Sequence, residues 1–151
     1  MKSNKGITLT SLVIYIIGLV LIITLISVFT GYFYKNLEEI TVKQNADEQY
    51  SSFLSYITKD ANSDYLTYVK SASDENDYII FKFNDGIEHQ YIYQNETIYY
   101  INVENRNDKK IVLCENVGIY AGKIFNYSDG KIDININIDD NNFSTTLNVK
   151  I

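Results

Sequence analysis

The feature that most constrains this chain is an apolar run near its amino terminus. No charged residue occurs between Ile7 and Tyr34, and the segment from Leu12 to Phe29 reads LVIYIIGLVLIITLISVF. About 20 helical residues, each rising about 1.5 Å, cross the roughly 30 Å hydrocarbon layer of a bilayer. The apolar part of a cleavable secretory signal is shorter, about 7 to 15 residues. The run therefore predicts a membrane-spanning helix, which we place at residues 7–34.

The run contains hydroxyl residues, among them Thr24 and Ser27, and two glycines. Thr24 and Ser27 can donate their hydroxyls to backbone carbonyls one turn earlier, so neither leaves a polar group unsatisfied in lipid. Gly18 and Gly31 are also tolerated in membrane helices. We therefore expect the helix to pass through the membrane without a break.

The charges on either side of the run predict its orientation. Lys2 and Lys5 precede it, whereas Lys35 on the other side is offset by Glu38 and Glu39. Positively charged flanks are retained on the cytoplasmic side. We expect a single-pass protein with a cytoplasmic amino terminus, in which everything after Tyr34 forms an exported domain.

The composition excludes several classes of site. The net charge is −6 and only one of the 13 cationic residues is an arginine, so we expect no direct binding of nucleic acid. Cys114 is the single cysteine and His89 the single histidine, so an intramolecular disulfide and a Cys/His metal site are both excluded. We expect Cys114 in the core, His89 on a sheet face, and neither enzymatic activity nor a cofactor.

Residues 35–75 predict an amphipathic helix followed by a connecting segment. Neither proline nor glycine occurs from Tyr32 to Lys70, so the membrane helix should continue to about Asp60. Apolar residues fall at spacings of three and four, which indicates one packed face. They are Leu37, Ile40, Tyr50, Phe53, Leu54, Ile57 and Ala61.

Residues 76–151 predict an antiparallel β domain. A charged break, Asp74 to Asp77, precedes strand signals at Tyr78–Phe83, Glu88–Tyr93, Thr97–Val103, Lys110–Glu115, Gly122–Tyr127, Lys131–Ile138 and Ser144–Lys150. Turn sequences separate several of them: Asn84-Asp85-Gly86, Gln94-Asn95-Glu96 and Ser128-Asp129-Gly130. In the strand Lys131–Ile138, isoleucines alternate with polar residues, which predicts one buried face. The expected fold is α+β, with the long helix packed on an antiparallel meander.

The amino-terminal sequence MKSNKG-ITLTSLVIYIIG resembles the class III signal of type IV prepilins. In that family a prepilin peptidase cuts after the glycine and methylates the new amino terminus. The resemblance implies that residues 1–6 are a leader, that cleavage follows Gly6, and that Ile7 becomes the methylated first residue. Thr8 and Leu9 match the usual start of the helix that enters the filament core. A glycine also lets a protease approach the backbone closely.

The resemblance implies a pilin-like fold and a structural role, as a minor pilin or pseudopilin whose partners are the peptidase, the membrane and other pilins. The order of the segments SFLSYITKDANSDYLTYV and ENVGIYAGKIFNYSDGKIDININI is similar to that in the PilW and pseudopilin-J group, including its competence relatives. The filament would be a type IV pilus, a type II secretion pseudopilus or a DNA-uptake filament.

One position departs from the family pattern. The fifth residue of the mature chain is usually glutamate, and here it is Ser11. A carboxylate in an apolar filament core needs a cation to offset its burial, and Ser11 cannot form that ion pair. The departure favours a subunit at the tip or in priming over a repeating one. A divergent subunit whose Ser11 bonds the backbone is the alternative.

Other interpretations remain open from the sequence. The chain can also be a bitopic surface-binding protein whose helix is only an anchor. Asp139-Asp140-Asn141-Asn142 is either a solvated turn or a set of oxygens for Ca²⁺, although the spacing of a known calcium loop is missing. The tyrosines at positions 91, 93, 99 and 100 can stack on sugars or bases, or pack across strands.

Overall fold

A computed structural model describes residues 5–73, 77–103, 110–120 and 122–150. The fold is α+β: one long helix, α1 (Lys5–Ala61), precedes nine strands that form two antiparallel sheets. The chain divides into two compact units, Met1–Thr41 and Val42–Ile151. Most of the expected charged break, residues 74–76, lies outside the described residues, and Asp77 begins a strand.

The continuity of α1 confirms the expectation of a single helix from the apolar run to about Asp60. The hydroxyl of Thr24 donates to the carbonyl of Val20 at 2.8 Å, and that of Ser27 to the carbonyl of Ile23 at 2.9 Å. Both bonds return to the preceding turn, as the sequence predicts. The hydroxyls of Thr24 and Ser27 are thus satisfied within the helix itself.

Five strands in chain order form the first sheet. They are β1 (Leu66–Ser73), β2 (Asp77–Phe83), β3 (Glu88–Gln94), β4 (Thr97–Asn102) and β5 (Lys110–Cys114). Strands β2 to β5 confirm the predictions to within one residue at each end. Strand β1 was not expected. The register of β1 on β2 shifts between Leu66 and Tyr68, so the buried residues Leu66 and Val69 are three apart and the period of two is lost.

Four further strands form a second sheet, so the expectation of a single meander is wrong. They are β6 (Val117–Ile119), β7 (Phe125–Ser128), β8 (Lys131–Ile138) and β9 (Asn141–Asn148). Strand β8 is central: β6 and β7 share one of its edges and β9 covers the other. Strand β6 has only three residues, too few for a periodic signal.

The predicted turns are confirmed by backbone conformation. Left-handed φ angles occur at Gly86 (87°), Asn95 (51°), Glu96 (57°), Asp129 (51°) and Gly130 (73°). A fourth turn, at Asp139 and Asp140, is tighter than expected, so Asn141 already pairs with Ile138. Strand β9 therefore begins three residues before the predicted Ser144.

The core of the second unit lies between α1 and the two sheets. The helix buries Ala46, Phe53, Ile57 and Ala61 completely, with Tyr50 and Leu54 partly buried beside them. The four isoleucines of β8, at positions 132, 134, 136 and 138, are completely buried and confirm the predicted face.

The expected packed face of the helix extends too far toward the amino terminus. Leu37 is 42% exposed and Ile40 52% exposed, so neither belongs to the core. Both lie in the first unit, before the sheets begin to cover the helix at Ala46. The apolar spacing continues on the amino-terminal side of Ala46, the first helix residue that is completely buried. Spacing alone does not show at which residue the sheets begin to cover the helix.

Strand β9 and the residues after it hold the last three turns of α1. The ring of Tyr50 stacks on that of Phe143 with centroids 4.3 Å apart, and its hydroxyl lies 2.5 Å from Thr145 Oγ1. Eleven residues later, the carbonyl of Ala61 accepts a hydrogen bond from the amide of Lys150 at 3.1 Å. The second unit is therefore closed by contacts between its first and last segments.

Candidate functional site

The residues that the prepilin resemblance singles out lie at the beginning of α1. Gly6, Ile7 and Thr8 fall within its first turns, and Leu9 and Ser11 are exposed. The helix contains an 18-residue apolar window of which nothing is buried, and it is long enough to cross a membrane. An apolar surface of this extent is stable only when lipid or protein covers it.

A buried carboxylate is the most distinctive group of the second unit. Asp60, in the last turn of α1, is only 5% exposed. Its Oδ2 accepts a hydrogen bond from the Tyr91 hydroxyl at 2.7 Å and lies 2.9 Å from Nδ1 of His89. A buried carboxylate is costly unless donors satisfy it, and these two side chains of β3 do so. The cluster joins the end of the helix to the first sheet.

The surroundings keep the phenols of this cluster neutral. Burial, and then the charge of Asp60, raises the pKa of Tyr91 far above its usual range. The same two causes raise the pKa of Tyr100 to about 12. The ring of Tyr100 lies 5.3 Å from that of Tyr91 and 5.2 Å from that of His89. Tyr91 therefore remains a hydrogen-bond donor to Asp60 at any physiological pH.

The Asp60–His89 pair recurs in other proteins as part of a hydrolytic triad, which also needs a hydroxyl at the second ring nitrogen. Within the described ranges, Nε2 of His89 has no such hydrogen-bonded partner. Asp60 and His89 line an open cleft of about 480 Å³ with Ser63 and Tyr65. No group of three or more His, Cys, Asp or Glu side chains among the described residues could hold a metal ion. The contacts of the cluster connect the last turn of α1 with strand β3.

The sequence placed His89 on a sheet face but did not reveal its partner. A signal was available: Asp60 follows Ile57 by three residues and so falls on the buried stripe of the helix. An acidic residue at such a position must find donors in whatever packs there. The expectation for Cys114 is confirmed, since the thiol is buried 3.5 Å from the carbonyl of Gln49 and burial raises its pKa to about 12.

The turn at Asp139 has its oxygens engaged by neighbouring amides. The side-chain amide of Asn116 donates to Asp139 Oδ1, and that of Asn141 donates to the Asp139 carbonyl, each at 2.9 Å. These bonds favour the solvated turn over a calcium loop. Tyr91 and Tyr100 are directly opposite in the register of β3 and β4, which confirms the expectation of cross-strand packing for this pair.

Comparison of the chain with protein-family models, with curated proteins and with solved structures finds no match. The case for a function therefore depends on the residues of this chain and on their arrangement.

Proposed function

We propose that this chain is a structural subunit of a type IV pilus or related filament, a minor pilin or pseudopilin. The observation that carries the proposal is the dual use of α1. Its first part is apolar and exposed, whereas its last turns form the core of a β domain with Phe53, Ile57 and Ala61. One continuous helix thus provides both a membrane span and the centre of a folded domain.

Continuity matters because a filament subunit leaves the membrane together with its domain. The apolar part of the helix is stored in lipid, with the amino terminus in the cytoplasm, and is then transferred into a bundle of like helices. The domain on the exported side becomes part of the filament. An anchor for a surface-binding domain has no such requirement and works equally well with a flexible linker. The partners in this proposal are prepilin peptidase and other pilins.

We expect the mature protein to begin at Ile7 with a methylated amine. In cells with an active prepilin peptidase, intact-mass measurement should find the chain shortened by its first six residues, and Gly6→Val should leave it at full length. Gly18→Val is the matched control, because a Cβ at that glycine meets no atom within 4 Å. This variant should be processed normally.

Two outcomes would contradict this expectation. Recovery of the unaltered chain with Met1 still present would favour the bitopic surface-binding alternative. Equal loss of processing in the Gly6 and Gly18 variants would mean that the membrane helix, rather than the Gly6–Ile7 junction, is what the peptidase requires.

From the serine at position 11 we expect few copies of this chain in each filament. A repeating subunit would gain register from a carboxylate that meets the next amino terminus in an apolar core, and Ser11 offers only a neutral hydroxyl. Deleting the gene should therefore reduce the number of filaments far more than the mass of filament protein it encodes. Quantitative immunoblotting of sheared filaments measures the copy number. Finding this chain as the most abundant filament protein would refute the minor-subunit assignment and leave the pilin proposal standing.

A further inference from the structure

The five-stranded sheet has one face turned away from α1. The helix makes its ring contacts and hydrogen bonds with Tyr91, Tyr100 and His89. Because successive residues of a strand point to opposite sides, their neighbours in sequence lie on the other face. The register places three rows of side chains there, which together we name the outer face: Ala72, Tyr78, Ile92, Tyr99 and Val112; Lys70, Ile80, Gln90, Ile101 and Lys110; and Tyr68, Lys82 and Glu88.

The outer face is more apolar than a solvated sheet surface. Antiparallel sheets with one solvent-exposed face ordinarily have polar residues on that face. Here a whole row, from Ala72 to Val112, has no charged side chain. Tyr68 is 52% exposed and Val112 48% exposed. Between these two edges Ala72, Tyr78, Ile92 and Tyr99 are half-buried, and Ile101 in the next row is buried. A continuous apolar row that is only partly covered is a surface on which a protein partner can bury further apolar area.

The charges of the outer face are mainly positive although the chain is acidic. It carries three lysines and one glutamate, while the whole chain has a net charge of −6. Lys82 pairs with Glu88 at 3.2 Å. Lys70 and Lys110 have no ion pair among the described residues, and Lys110 lies 5.2 Å above the ring of Tyr99. A complementary surface would be apolar with carboxylates at its rim.

The size of the outer face argues against a stable free dimer. Strands about 4.8 Å apart and side-chain rows about 7 Å apart give five strands and three rows an area of roughly 400 Å². Stable interfaces bury about 800 Å² on each partner. A contact this small becomes effective when a second attachment raises the local concentration of the partner.

We propose that the outer face docks the apolar, acid-rimmed surface of a different subunit of the same filament. The inference rests on the proposed function, since membrane helices that lie side by side provide the second attachment. Tyr78, Ile92 and Tyr99 form the apolar centre of the contact, and Lys70 and Lys110 pair with carboxylates at its edges. The small area argues against a free dimer, and the low copy number expected from Ser11 makes a different subunit, not a second copy, the neighbour of this chain in the filament.

A photo-crosslinking amino acid at Val112 of the full chain, expressed in its own cells, tests the proposal. The matched control is Ile111, which precedes Val112 on β5, is 38% exposed and pairs with Tyr100 on the opposite face. Val112 should give an adduct that mass spectrometry identifies as another prepilin, and Ile111 should give little. Labelling of buried Cys114 checks that each variant is folded.

Charge reversal provides the second readout. Lys70→Glu combined with Lys110→Glu should reduce the Val112 adduct about tenfold. Each substitution replaces an ion pair with a carboxylate of the partner by repulsion, and the loss of two exposed ion pairs, about 1.4 kcal/mol together, corresponds to a factor of ten. Lys123→Glu combined with Lys131→Glu, at exposed lysines outside the outer face, should leave the adduct unchanged.

Several results would overturn the inference. They are an adduct only with a second copy, with nucleic acid or with lipid, an equal adduct from Ile111, and no adduct at all. If Ile7 processing is observed without a sibling adduct, the docking inference fails and the proposed function stands. An unprocessed chain whose Val112 crosslinks to an unrelated membrane protein would contradict both.

Discussion

Residues 35–151, expressed without the preceding apolar segment, should be recovered as a soluble and folded monomer. The helix residues that contact the sheets begin at Ala46, and the core ends at Ile138, so the deletion removes no core residue. What it removes is the exposed apolar surface, which needs a cover of lipid or protein. Size-exclusion chromatography measures the oligomeric state, and circular dichroism should show mixed helix and strand.

A longer deletion is the matched control. Residues 62–151 lack the whole of α1 and leave the apolar faces of both sheets without Phe53, Ile57 and Ala61. This product should aggregate, because large uncovered apolar faces associate. If residues 35–151 also aggregate or remain unfolded, the helix and the two sheets do not form an independent core, and the division into two units is wrong.

Phe53→Ala should lower the free energy of unfolding by about 3–5 kcal/mol, the usual cost of truncating a buried phenylalanine. Phe53 is completely buried, and its ring centroid lies 6.3 Å from that of Tyr91 in the first sheet and 6.2 Å from that of Phe125 in the second. Alanine ends at Cβ and loses both ring contacts. The cavity should therefore weaken each sheet's contact with the helix at the same time.

Urea titration followed by circular dichroism measures this loss, and alkylation of the single cysteine gives an independent readout. Burial raises the pKa of the Cys114 thiol to about 12, so at pH 8 it reacts only when the fold opens. Tyr56→Ala is the control, since Tyr56 is exposed and, among the described residues, its one ring–ring contact is with Tyr100. Losses of equal size in the two variants would show that Phe53 does not link the sheets.

The elements with strong periodicity could be predicted from the sequence. The long helix follows from an uncharged run without proline, and β8 follows from four alternating isoleucines that are all buried. Strands β1 and β6 could not be predicted. A bulge disrupts the alternation of β1 after Leu66, and β6 is too short to show any period. The separation into two sheets depends on which strands pair, and local pattern does not determine pairing.

The candidate site could be predicted only where local sequence defines it. The Gly6–Ile7 junction is contiguous, so its resemblance to a processing signal is visible in the sequence. Asp60 and His89 are 29 residues apart and meet only because β3 packs on the last turn of α1. The outer face cannot be recognised from local sequence either. Only the strand register brings Tyr78, Ile92, Tyr99 and Val112 into one row.

The contacts between α1 and β9 determine how this domain bears mechanical load. From Tyr50 to Ala61 the helix advances about 16 Å, and from Thr145 to Lys150 an extended chain advances about the same distance. Both segments run in the same direction between their two shared contacts, Tyr50 with Thr145 and Ala61 with Lys150. Tension applied along the helix therefore acts parallel to β9 and shears these contacts together instead of peeling them one by one. A pull on the amino-terminal end of α1 is therefore opposed at two points of the domain and not at one.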